Sequence, residues 1–232
     1  MSVSVRFRFS RKGPVRYTGH LDMLRYFQKA VMRSGLPARY SEGFHPHQIM
    51  SFAYPLGVSM ETEGDYMDLD MTQELGEEEM LNRLNAVMNE GISVSRATVL
   101  KDNAENAMAL VAAADYRVSL SGDTDKAADA VRRIMEAQEI LIDGGETKRG
   151  KKKKDPKNIR QGILDMHIEE DGSLFMKLVS GSAMNVRPAD VFDKLNEAAG
   201  GGLYTECICR LEIYALRDEK LIPLADADKK DA

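Results

Sequence analysis

Two kinds of periodicity alternate along this chain in the order strand, helix, strand, strand, helix, strand, and the same order then recurs, which leaves few folds open. Val3, Val5, Phe7 and Phe9 alternate with Ser4, Arg6 and Arg8, the period of two of a strand with one buried face. From Leu21 the apolar positions Leu24, Phe27 and Val31 recur every three or four residues, and Gly35 and Pro37 stop the pattern, so a helix is predicted there. Residues 38–54, interrupted by Gly43 and Pro46, read as an irregular second strand with a loop, and Met67, Leu69 and Met71 as a third strand. Met80, Leu81, Leu84, Val87 and Met88 share one helical face behind Glu77, Glu78 and Glu79, which suit a helix N-terminus; Ile92 and Val94 begin a fourth strand.

The second half reads the same way. Tyr116, Val118 and Leu120 alternate as a strand, and Asp123 or Thr124 is placed to cap a helix carrying Ala127, Val131, Ile134 and Met135. Residues 163–168 and 174–179 read as strands joined by the Glu169-Glu170-Asp171-Gly172 turn, Pro188 opens a helix, and Cys207, Cys209, Leu211 and Ile213 close as a core strand. The expected class is therefore α+β, two tandem ferredoxin-like (βαββαβ) domains with antiparallel sheets. Their expected bounds are residues 1–111 and 112–225, with 101–114 as a linker or short helix; residues 226–232, built only of Ala, Asp and Lys, read as a disordered tail.

Charge is distributed unevenly. The net charge of -5 combines a basic N-terminal segment, in which nine Lys or Arg up to residue 54 face only Asp22 and Glu42, with an acidic stretch after it. Arg25, Lys29 and Arg33 fall at i, i+4 and i+8, one stripe of the first helix, and Arg6 and Arg8 take the non-core face of the first strand. With Arg39, Tyr17, Tyr40 and Phe44 nearby, this is the mixture of cations and aromatics that holds phosphates while stacking bases. A second basic tract, including Lys151, Lys152, Lys153 and Lys154, reads as a loop able to contact a polyanion. A solvated helix face and a solubilising loop are the plainer explanations of the same residues.

Three of the four histidines, His20, His45 and His47, lie close in sequence beside Asp22 and Glu42. These five are the catalytic candidates, since histidine titrates near neutrality and a carboxylate can orient its ring; His20, His45 and His47 are also candidate ligands for a transition metal. No phosphate-binding glycine loop, zinc-protease helix or serine-hydrolase elbow occurs. No apolar run is long enough for a membrane span or a signal peptide, and two cysteines make no disulfide framework, so a cytoplasmic protein without a membrane partner is expected.

Gly19-His20-Leu21-Asp22, Arg33-Ser34-Gly35-Leu36-Pro37, Tyr40-Ser41-Glu42-Gly43-Phe44-His45-Pro46-His47, Ser51-Phe52 and Pro55-Leu56-Gly57-Val58 together resemble the radical-SAM-linked protein family; Asp155 to Arg160 and Asn185-Val186-Arg187-Pro188 extend the likeness into the second half. That bacterial family of unknown function occurs alone or fused behind a B12-binding radical SAM enzyme, often encoded near RNA-processing and ribosomal genes. The C-x-x-x-C-x-x-C cluster motif of such enzymes is absent here. The resemblance therefore implies an accessory role, binding RNA (tRNA or rRNA) or presenting it to a separate radical SAM RNA-modifying enzyme, with no cofactor of its own. The competing expectations are a metal-dependent hydrolase or ferredoxin-like ribonuclease built on His20, His45 and His47, and a protein-protein adaptor that docks a basic partner on residues 61–79.

Overall fold

The structure, a computed structural model, describes residues 2–144, 155–181 and 184–230. It forms two compact units, one of residues 1–113 with 209–232 and one of residues 114–208. It is a mixed α+β chain with mostly antiparallel strand pairing and five α-helices among the described residues.

The first unit begins with β1 (Val3–Arg11), α1 (His20–Ser34), β2 (Met50–Phe52), β3 (Glu61–Met71), α2 (Glu77–Asn85) and β4 (Ile92–Val99), followed by the short α3 (Ala107–Leu110). β1 pairs antiparallel with both β3 and β4, and β2 pairs antiparallel with β3, giving the order β4-β1-β3-β2. The alternation in β1 has its expected consequence: Val5 lies opposite Leu69 and Phe7 opposite Met67, and all four side chains are buried. Met23, Phe27, Ala30 and Val31 of α1 and Met80 and Leu84 of α2 join them in one core. Gly35 ends α1 at φ 67°, a left-handed conformation that a glycine adopts without a Cβ clash, and its N–H bonds to Met32 O. The strand expected across residues 38–54 is short, only Met50–Phe52, because residues 41–47 leave the sheet as a loop.

The second unit carries β5 (Val111–Gly122), whose first residues belong to the first unit, then α4 (Ala127–Glu136), the two-residue pair β6 (Leu141–Ile142) and β7 (Lys157–Asn158), β8 (Ile163–Ile168), β9 (Leu174–Val179), α5 (Pro188–Ala199) and the first part of β10 (Leu203–Arg217). Its strands follow the order β10-β5-β9-β8. Leu174, Met176 and Leu178 bury one face of β9, and Val191 and Leu195 are buried from α5, which Pro188 opens. Neither Asp123 nor Thr124 caps α4: a 3-10 turn, Thr124–Lys126, precedes the helix, and the Asp123 carboxylate instead accepts from Lys126 Nζ at 2.7 Å.

Three expectations change at the C-terminus. Residues 209–225, expected in the second domain, belong to the first unit, where Cys209 and Arg210 of β10 pair parallel with Glu61 and Thr62 of β3 and β10 turns back into β11 (Lys220–Pro223). Gly64 permits that approach, since a Cβ there would lie 2.3 Å from Leu211 O. Cys207 and Cys209, expected in the core, are half-buried and form no disulfide among the described residues. Residues 226–230 are no free tail: Lys101 N–H donates to Asp228 O at 2.9 Å, Lys230 N–H to Val99 O at 3.0 Å, and the Asp228 carboxylate pairs with Arg217. Backbone pairing, with Ala227 buried, holds this otherwise polar segment in place.

Candidate functional site

The far face of the first unit's sheet overturns one expectation. Arg6, read as a surface cation, is fully buried: it donates from Nε to Asp68 Oδ1 at 2.8 Å and from Nη2 to Asp68 Oδ2 at 3.0 Å, and its remaining donors reach Leu224 O, Ala227 O and Glu105 O. Arg6 and Asp68 are direct cross-strand neighbours, so sheet register makes the pair and the returning residues 224–227 bury it. Arg8 is half-buried and donates to Glu212, whose carboxylate also accepts from Tyr66 Oη at 2.5 Å; burial first, then Glu212, raises the Tyr66 pKa, keeping the phenol protonated. Arg6 and Arg8 are thereby occupied inside the fold.

On the other face, where β1 meets the start of α1, a small cavity of about 20 Å³ is lined by Phe9, Arg11, His20, Met23, Phe52, Tyr54, Leu56 and Asp65. Phe9, Phe27 and Phe52 stack tilted or edge-on with centroids 4.8 to 5.5 Å apart, and the half-buried His20 ring meets Phe52 edge-on at 5.7 Å. Arg11 continues the inward register of Val5, Phe7 and Phe9 after a register shift in β1, which places a guanidinium on the apolar side. It is 2% exposed and donates to Thr18 O at 3.0 Å, Gly57 O at 3.2 Å and Met60 O at 3.0 Å. Its Nε has no hydrogen-bond partner, and among the described residues it makes no ion pair. Burial lowers its pKa, Asp65 opposes that shift and Arg210 adds to it. Asp65 is itself held by Arg210 Nε at 2.6 Å and by Thr62 Oγ1 at 3.2 Å, while Arg210 lies over the Tyr54 ring.

The conspicuous motifs are thus divided. His20 of Gly-His-Leu-Asp and Phe52 and Leu56 of the later motifs share the cavity, but His45 and His47 do not line it. They sit exposed on the loop of residues 41–47, where Ser41 Oγ and His47 Nδ1 lie 2.9 Å apart and Ser41 N–H donates to His47 O at 2.8 Å, closing the loop on itself. Asp22 is on the surface, paired with Arg25 at 3.2 Å, and Glu42 is exposed. Among the described residues no group of three His, Cys, Asp or Glu side chains is arranged to hold a metal ion, so the ligand set expected from His20, His45 and His47 does not assemble. The hydrolase and ribonuclease expectations lose the histidine cluster on which they stood.

Arg25, Lys29 and Arg33 are exposed along α1, with Arg33 donating to Val87 O; Arg39 and Tyr40 are exposed, and Phe44, at the centre of the 41–47 loop, is fully exposed. Tyr17 is 60% exposed, with Arg16 over its ring at 5.1 Å. Lys151, Lys152, Lys153 and Lys154 lie outside the described residues, while Lys157 and Arg160 from the same tract donate to main-chain carbonyls of the second unit. The acidic stretch 61–79 is largely engaged: Glu61 accepts from Gly13 N, Glu63 pairs with Lys12, Asp65 and Asp68 with buried arginines, Glu74 with Lys230 and Glu79 with Arg83. Sequence reading missed Arg11, Asp65 and Tyr54 as neighbours of His20; the available signal was a charged residue in the buried register of β1.

Antiparallel strands packed under helices, with a basic helix face and an aromatic loop on the first unit, define a mixed α+β protein. Residues 4–188 match the family described as an uncharacterised protein conserved in bacteria, DUF2344, and the chain belongs to that family. No curated protein matches it. No helix among the described residues is long and apolar enough to cross a membrane.

Proposed function

We propose that the protein is a cytoplasmic RNA-binding protein that grips phosphates with Arg25, Lys29 and Arg33 and stacks unpaired bases on Phe44. The observation that carries this reading is Phe44: a fully exposed aromatic ring on a loop closed by its own hydrogen bonds, between the exposed Arg39 and Tyr40 on one side and His45 and His47 on the other. A solvated Phe contributes nothing to the core, whereas stacking a base on such a ring is worth about 1–3 kcal/mol. In the finer form of the proposal, the RNA is a tRNA or rRNA presented to a radical SAM enzyme, for which the motif resemblance is the support. We also propose that each unit is built on a ferredoxin-like βαββαβ module, supported by the matching strand orders β4-β1-β3-β2 and β10-β5-β9-β8.

The test is a titration of labelled tRNA or an rRNA hairpin by fluorescence anisotropy at several salt concentrations. Three phosphate contacts to a single-stranded segment imply that affinity falls about 18-fold between about 50 and 200 mM salt. With Arg25→Ala and Lys29→Ala together, one contact remains and the fall shrinks to about threefold. Binding that ignores salt, or a salt dependence the double variant leaves unchanged, refutes the proposal.

A further inference from the structure

The cavity beside His20 holds a charge that the fold leaves open. Arg11 and Arg210 are 2% and 1% exposed, and between them lies one carboxylate, Asp65, which is bonded to Arg210. Arg11 is left with carbonyl partners for its Nη atoms and none for Nε, and the nearby Asp65 carboxylate is bonded to Arg210 rather than to it, a costly arrangement for a buried cation. The N-terminus of α1, which starts at His20 and has no side-chain cap, adds a partial positive charge at the same place. We infer that the cavity is a binding site for the carboxylate end of a small monocarboxylate, with Arg11 Nε–H and the His20 ring N–H as its two donors.

Size, donor count and charge select this class. A cavity of about 20 Å³ admits a terminal group rather than a whole metabolite. Two donors match two carboxylate oxygens, whereas a phosphoryl group carries more oxygens than they can serve. Asp65, lining the cavity, disfavours a dianion, and the walls of Phe9, Met23, Phe52 and Leu56 suit the carbon next to a carboxylate. Arg25, Lys29, Arg33 and Phe44 do not line this cavity, so the inference stands apart from RNA binding.

The experiment is a proton NMR titration of the full chain with propionate and, separately, with inorganic phosphate, following the four histidine rings; His20→Gln identifies the His20 signal. Propionate is expected to shift the His20 resonance along a saturating curve below about 50 mM, leaving His45 and His47 in place, while phosphate gives no saturating response. Arg11→Met is expected to weaken propionate binding at least about tenfold, read by the midpoint of thermal unfolding against ligand concentration, as is His20→Gln. His20→Gln alters only a half-exposed ring, so it decides the matter even where Arg11→Met fails to fold. A linear propionate response, propionate binding that survives His20→Gln, or saturation by phosphate at the same resonance overturns the inference.

Discussion

Replacing Asp68 by Ala should be among the most damaging single changes to the first unit. The Asp68 carboxylate accepts both Arg6 bonds, at 2.8 and 3.0 Å, and the N–H of Ala107 at 2.8 Å. Without it the Arg6 guanidinium, with no solvent-exposed side-chain surface, keeps only carbonyl partners. Removing one member of a buried ion pair costs about 3–5 kcal/mol. For a chain of this length that is a fall of about 6–20 °C in Tm, measurable by calorimetry. Because Arg6 also binds Leu224 O and Ala227 O, amide exchange in residues 224–230 should accelerate in the same variant. The double change Arg6→Met with Asp68→Leu removes both charges and should recover most of the loss, since a hydrophobic pair of similar volume often replaces a buried ion pair without penalty. An Asp68→Ala variant that loses less than about 1 kcal/mol would refute the argument, because that is the range of an exposed pair.

Gly64→Ala should destabilise the pairing of β3 with β10 by at least about 1 kcal/mol in chemical denaturation, as its Cβ would meet the Leu211 carbonyl at 2.3 Å. Phe44→Ala should leave unfolding within about 0.5 kcal/mol of wild type while weakening RNA binding by about 1–3 kcal/mol. In the second unit, bonds from Arg117 and then Ser173 lower the Glu169 pKa. A carboxyl depressed on folding contributes stability above its unfolded pKa that is lost as pH falls through the folded value, so Arg117→Ala should flatten the acid limb of stability against pH. An unchanged acid limb in that variant would count against the pair.

The apolar half of each pattern was legible because burial writes itself into the sequence as a period. Val5, Phe7 and Phe9 named the core face of β1, and Phe27 and Val31 that of α1. The polar half was not. Arg6 alternates outward in the same way whether water or a covering strand lies beyond it; what settles the matter is its register opposite Asp68 and the return of residues 224–227, both non-local. Adjacent histidines misled for a related reason. Nearness in sequence put His20, His45 and His47 together, but the bonds between Ser41 and His47 fold His45 and His47 into a separate surface loop. Arg11 carried the opposite signal, a charge in an apolar register, which sequence reading passed over although it lines the same cavity as His20.

The first unit is assembled from the two ends of the chain, with residues 114–208 inserted between them. During synthesis residues 3–99, with the core strands and helices of the first unit, emerge first, but that unit is complete only after the inserted one has followed. The inserted unit has all its residues as soon as 208 has emerged, while β1 waits with Arg6 unable to reach the carbonyls of Leu224 and Ala227. Until those arrive, a cation destined for the interior faces water and the strand that carries it has nothing over its polar face. The inserted middle is therefore complete before the unit that encloses it in sequence.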